Sequence, residues 1–158
     1  MKKLVKLLLC LSLVLALTGC GKEQTATYTA VQDVMGIKIT DTQTITAKGD
    51  KVITMVEITD IKFTDFTEEE LKVAAETYDE QYAELAKTFP KSVESTYGLE
   101  GDIYKFKLTI NFDGADLEEL VDAGLVTKPA GQEDKKLAYI SFKQTCEGLE
   151  GMGYTAVE

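Results

Sequence analysis

Residues 104–112 alternate without a break, with Tyr104, Phe106, Leu108, Ile110 and Phe112 in one phase and Lys105, Lys107, Thr109 and Asn111 in the other. A period of two marks a strand, because successive side chains of an extended backbone point to opposite faces. One face so apolar and one so wet belong to an antiparallel sheet covered on a single side; a parallel sheet, covered on both, reads as a continuous apolar run. The segment therefore demands neighbouring strands and a layer of helix to bury its apolar face.

The neighbours lie upstream. Residues 27–33 read as a strand, 37–47 as a Thr/Ile alternation (Ile37, Ile39, then Thr42, Thr44, Thr46), and 52–63 as a long third strand. Gly49-Asp50 and Gly101-Asp102 supply two hairpin centres, where glycine tolerates positive φ. The second joins a strand over 93–99 to the alternating one. Thr67-Glu68-Glu69-Glu70 is a capping box, with its acids at the positive end of the helix dipole. Leu71, Ala74, Ala75, Tyr78, Tyr82, Leu85 and Phe89 then recur on one helical face, and Pro90 closes a helix expected over 68–89.

A short helix opens at Asp116-Leu117-Glu118-Glu119-Leu120 and stops at Gly124. Residues 128–136 form a polar loop, and 138–140 read as one more short strand. Ser141 caps a last helix with Phe142, Cys146 and Leu149 on its inner face; Gly148, Gly151 and Gly153 weaken its end. Hairpin followed by acid-capped helix occurs twice, a weak ββα pseudo-repeat. The expected fold class is α+β, an antiparallel sheet with helices packed on one face.

The N-terminus carries an address. Lys2, Lys3 and Lys6 precede an apolar run, too short to span a bilayer comfortably as a permanent helix, that leads into Leu17-Thr18-Gly19-Cys20. Small residues followed by cysteine form a lipobox, in which the Cys20 sulfur receives diacylglycerol. The expected organisation is a signal peptide over 1–19, a lipidated tether over 20–26 and a single α+β domain over 27–158. The membrane is then the first partner, engaged through acyl chains on Cys20, with the domain outside the cytoplasm at a bacterial cell membrane or its periplasmic face.

Charge narrows the partners. The mature domain keeps fourteen lysines against 27 acidic residues, a net charge of −13, with no basic run. Nucleic acid is excluded as a partner, and anionic headgroups repel such a domain. Cys146 is the one cysteine left after processing and acylation, so no intramolecular disulfide is available. Histidine is absent, which removes the commonest general base and the commonest zinc ligand.

Candidate chemistry is thin. Glu68, Glu69, Glu70, Asp79, Glu80 and Glu84 fall mostly off the apolar stripe of their helix and read as a solvated face. Asp113, Asp116, Glu118, Glu119 and Asp122 fail the EF-hand template, and helix capping accounts for Asp113 or Asp116. Cys146 lacks an activating histidine and reads as a small core residue; Ser92, Ser95 and Ser141 meet the same objection for a serine triad. Tyr28, Tyr78, Tyr82, Tyr97, Tyr104, Tyr139 and Tyr154 read as core before ligand groove. The expected site list is Cys20 for lipidation, with no catalytic, cofactor or metal residues.

Several segments resemble the YehR-like bacterial lipoproteins, a family defined by a domain of unknown function. They are Leu17-Thr18-Gly19-Cys20, Ala47-Lys48-Gly49-Asp50-Lys51-Val52, Phe112-Asp113 with Ala115-Asp116-Leu117-Glu118-Glu119-Leu120, and Ile140-Ser141-Phe142-Lys143-Gln144-Thr145 with Gly153-Tyr154. They span nearly the whole mature chain in order. Cys146-Glu147-Gly148 departs from a last helix that is often richer in lysine. The resemblance implies a small α+β lipoprotein fold and no activity. What remains is an anchored module that binds a protein, peptide or small ligand without catalysis; the alternative is a carboxylate-dependent hydrolase of the cell envelope. Two inward carboxylates in a cleft would favour the second.

Overall fold

The computed structural model describes residues 21–34, 36–128 and 134–157, so Cys20, the signal segment and much of the expected polar loop lie outside the described residues. The alternation at 104–112 sits in β5 (Ile103–Asn111), second from one edge of a six-stranded antiparallel sheet. The other strands are β1 (Glu23–Val34), β2 (Ile37–Lys48), β3 (Lys51–Phe63), β4 (Val93–Glu100) and β6 (Thr155–Ala156), in the order β4-β5-β3-β2-β1-β6. Gly49 and Gly101 occupy the two expected hairpin centres at φ 61° and 64°, the left-handed region that a side chain disfavours.

β1 begins at Glu23, earlier than the expected tether boundary, so residues 23–26 belong to the sheet. The cause lies across the ladder: Thr25 pairs with Thr46 and Thr27 with Thr44, their hydroxyls 3.3 and 3.2 Å apart. The expected strand at 138–140 is replaced by a single bridge between Ser141 and Lys51, with the Val52 N–H donating to the Ile140 carbonyl. β6, with two residues pairing Tyr28 and Thr29, is too short to leave a periodic signal.

The registers decide which side chains share a face. Across the sheet, Leu99, Tyr104, Ile61 and Ile39 form one row; Tyr97, Phe106, Thr59 and Asp41 the next; Ser95, Leu108, Glu57, Gln43 and Tyr28 a third; Val93, Ile110, Met55 and Ile45 a fourth. Both longer helices cover this face. The opposite face carries Thr42, Thr44, Thr46, Thr109, Lys105 and Lys107, and no helix covers it among the described residues.

Helix α1 (Glu68–Thr88) starts on the capping box as expected: Thr67 accepts from the Glu70 N–H, and the Glu70 carboxylate accepts from the Thr67 N–H at 2.8 Å. Its apolar stripe packs over β4 and β5, where Tyr82 stacks on Phe106 with ring centroids 3.6 Å apart. Asp79, expected in solvent, is half-buried and accepts from the Tyr104 hydroxyl at 2.7 Å. A phenol buried against the sheet needs an acceptor, and Asp79 is the one above it.

α2 (Leu117–Asp122) is capped by Asp116 and stopped by Gly124. α3 (Phe142–Gly151) is capped by Ser141 and turns Leu149 into the core. Asp50, in the β2–β3 hairpin, reaches the same helix: its carboxylate accepts from Ser141 Oγ at 2.8 Å and from the Lys143 N–H at 3.0 Å. α3 is thereby clamped onto the sheet near β2, leaving the space between α1 and α3 over the middle of the covered face.

Candidate functional site

That space is polar. β2 sends Ile37, Ile39, Asp41, Gln43 and Ile45 to the covered face, and β3 sends Met55, Glu57, Thr59, Ile61 and Phe63. Four of these positions break the apolar run: Asp41 and Gln43 on β2, facing Thr59 and Glu57 on β3. They form a block in which every member meets its neighbours. Thr59 Oγ1 lies 3.2 Å from Asp41 Oδ1 and 3.4 Å from Glu57 Oε1. A hydroxyl carries one proton, so it cannot serve both carboxylates at once. Gln43 Nε2 donates to Asp41 Oδ2 at 3.2 Å, and the Tyr154 hydroxyl donates to the same oxygen from above.

A cavity of about 220 Å³ opens over the block, lined by Ala30, Gln32, Ile39, Asp41, Glu57, Thr59 and Tyr154. Gln43 lies alongside, 7% exposed, and its Oε1 has no hydrogen-bond partner. Turning the amide over would set that oxygen against the Asp41 carboxylate, so the orientation with nitrogen toward Asp41 is the favourable one. The site thus has a surplus of acceptors. Among the described residues neither Asp41 nor Glu57 takes part in an ion pair.

Electrostatics follow from that surplus. Burial, then the charge on Asp41, push the Glu57 carboxyl above the usual glutamate range, against the lowering pull of the Gln43 amide and the Thr59 hydroxyl. The Tyr154 phenol is raised by burial and by Asp41, and Tyr82 of α1 is raised by burial, Glu57, Tyr78 and Asp41. Each of these groups resists carrying negative charge first because it is buried and then because acidic groups lie beside it.

A larger hollow of about 290 Å³ lies beside α2, lined in part by Lys51, Asp116, Glu118 and Lys136. There the polar groups answer one another: Glu118 accepts from Lys128 Nζ at 2.8 Å and from the Leu137 N–H at 2.9 Å. It is a loop junction whose Glu118 carboxylate is already paired, and the smaller cavity is the better site.

The residues weighed from sequence fall elsewhere. Glu68, Glu69, Glu70, Glu80 and Glu84 are exposed on α1, and Asp116 is a cap. Ser95 Oγ donates to the Tyr82 carbonyl at 3.4 Å, and Ser141 is a cap. Cys146 is half-buried on the inner face of α3, and burial raises its thiol. Tyr28 and Tyr104 are core, Tyr139 is exposed, and Tyr154 lines the cavity. Among the described residues no group of three or more His, Cys, Asp or Glu side chains is placed to hold a metal, and no helix is long and apolar enough to cross a membrane.

Asp41, Gln43 and Glu57 were missed. The signal was present: with Ile37, Ile39 and Ile45 inward, Asp41 and Gln43 stand at inward positions of the same period, and the eye is drawn instead to the threonines of the opposite phase.

No protein-family model matches the chain, and no curated protein sequence matches it. Among solved structures it is similar to the NMR structure of the E. coli YehR protein, with a TM-score of 0.58 at 19% identity, covering 87% of this chain and 92% of that one. The fold is YehR-like. An NMR structure of a protein from Streptococcus pneumoniae TIGR4 is also similar, with a TM-score of 0.50 at 15% identity, covering 88% of this chain and 87% of that one. A YehR-like fold carries no activity with it, because function resides in sites placed on a fold.

Proposed function

We propose that this chain is a lipoprotein of the YehR-like family, held by acyl chains on Cys20 at the extracytoplasmic face of a bacterial membrane, and that it works by binding. The lipobox supports the anchor and the YehR-like fold supports the family. One observation carries the binding reading: Asp41, Gln43, Glu57 and Thr59 form an acceptor-rich block beneath a cavity, flanked on the same face by rows of core residues. Apolar side chains there would extend the core, whereas buried polar groups without full partners destabilise it. A ligand that completes the block accounts for its retention, and a membrane tether raises the effective concentration of partners nearby.

The same pair is where a carboxylate hydrolase would have its acid and base, since Glu57 is raised and Thr59 lies between the two groups. Asp41 is already held by Thr59, Gln43 and Tyr154, which suits a fixed binding carboxylate better than a nucleophile. The test is NMR of the full chain in mild detergent against a panel of small metabolites and short peptides. Saturable shifts at Asp41, Glu57 and Tyr154 without turnover support binding. No shift across the panel, or hydrolysis abolished by Glu57→Gln, overturns it. For the anchor, Cys20→Ser should leave the membrane fraction; retention at the native level overturns that part.

A further inference from the structure

Resting on that reading of the cavity, we propose that its ligand is an organic cation bearing N–H donors, a primary ammonium or guanidinium group, seated against Asp41 and Glu57. The chemistry of the site selects this class. Its donors, the Thr59 and Tyr154 hydroxyls and the Gln43 amide, are already turned to carboxylates, and Gln43 Oε1 is left with none. A ligand must therefore supply donors. An anion would add charge to a pocket lined by two carboxylates with no basic side chain among its lining residues. A neutral ligand would bury those carboxylates without a counter-charge. A divalent metal ion takes six or more oxygens as calcium or a near-ideal octahedron as magnesium, and no cluster of three His, Cys, Asp or Glu side chains is found among the described residues. An ammonium or guanidinium group supplies several donors with a single charge.

The groups that face Glu57 fix the direction of its pH dependence. Asp41 faces it from β2, Tyr82 from α1 and Tyr154 from the approach to β6, while its neighbour on β5 is Leu108. All the titratable ones are acidic. Glu57 thus retains its proton more readily than a free glutamate, and a bound cation displaces that proton. Binding tightens as pH rises through the Glu57 titration.

The experiment titrates the full chain in detergent with n-butylammonium and n-butylguanidinium, and with n-butanol and butyrate as neutral and anionic probes of the same alkyl length. The side-chain carboxylate carbons of Asp41 and Glu57 are followed by NMR. Either cation should give saturable shifts at both, stronger at pH 7 than at pH 5, and about tenfold weaker in Glu57→Gln. The Tyr104 and Phe106 ring signals report that this variant is folded, and the pH series on the native chain tests the same point without a substitution. If n-butanol saturates the site as readily as n-butylammonium, the cation assignment is overturned while the binding site stands. If neither cation shifts these carboxylates but panel ligands do, the assignment again fails alone. If no probe and no panel ligand reaches the site, both readings fall.

Discussion

The covered face of this sheet has two halves that solve opposite problems. Over β4 and β5, α1 lays Tyr78 and Tyr82 against Tyr104 and Phe106, with Leu108 and Ile110 buried beside them. The buried phenol of that half, Tyr104, has Asp79 as its acceptor. Over β2 and β3, the same face presents Asp41, Gln43, Glu57 and Thr59 with too few donors. Full burial of one large apolar side chain contributes roughly 1.5–3 kcal/mol, and an unsatisfied buried polar atom costs about 1–3 kcal/mol. The dry half holds the fold together, and the wet half draws on that stability to keep a site open.

Phe106→Ala should be the largest break in the comparison. It removes the ring stacked under Tyr82 and should destabilise the chain by about 3–5 kcal/mol, read as a lowered urea midpoint. A loss as small as that of a surface substitution would show that α1 does not anchor the dry half.

Glu57→Gln should act in the opposite direction. A glutamate in the unfolded chain titrates near about 4.3, whereas Glu57 in the fold titrates higher. Between those two values the folded state binds more protons than the unfolded state, so stability falls as pH rises through that window. The amide removes the fall. The variant should be more stable than the native chain at pH 7 and closer to it near pH 4, in urea melts taken as a series of pH values. A variant less stable at pH 7 would show that the wet half is satisfied as it stands.

Asp50→Ala should cost about 1 kcal/mol, the usual value of a lost helix cap, because Asp50 ties α3 to the β2–β3 hairpin. Amide exchange should quicken in α3 and at Tyr154 while α1 stays protected. Equal loosening of α1 would mean that the halves do not open separately. Thr44→Val, on the uncovered face, should change stability by less than about 0.5 kcal/mol. A larger effect would show that the Thr27–Thr44 hydroxyl contact does more than an ordinary cross-strand pair.

Much of the fold was legible because its signals are local. Capping at Thr67 and Glu70, the stop at Gly124 and the turns at Gly49 and Gly101 depend on residues a few positions apart, and each formed where the sequence placed it. Asp79 was misread because a helical wheel shows only which way a side chain leaves its own helix. The phenol that bonds it, Tyr104, comes from a strand 25 residues away. Likewise β6 exists only because α3 delivers the chain to the open edge of β1.

The sequence by itself determined the longer helices, the main strands and the one-sided sheet, since periodicity, capping and turn chemistry act over a few residues of chain. The tertiary structure alone decided the site. Asp41 and Glu57 are sixteen positions apart in sequence and lie on different strands. Only the β2–β3 register sets Gln43 opposite Glu57 and Asp41 opposite Thr59, and only the gap between α1 and α3 leaves them beneath a cavity. Strand register is fixed by cooperative burial across the whole sheet, so no local pattern announces which inward polar residues will meet.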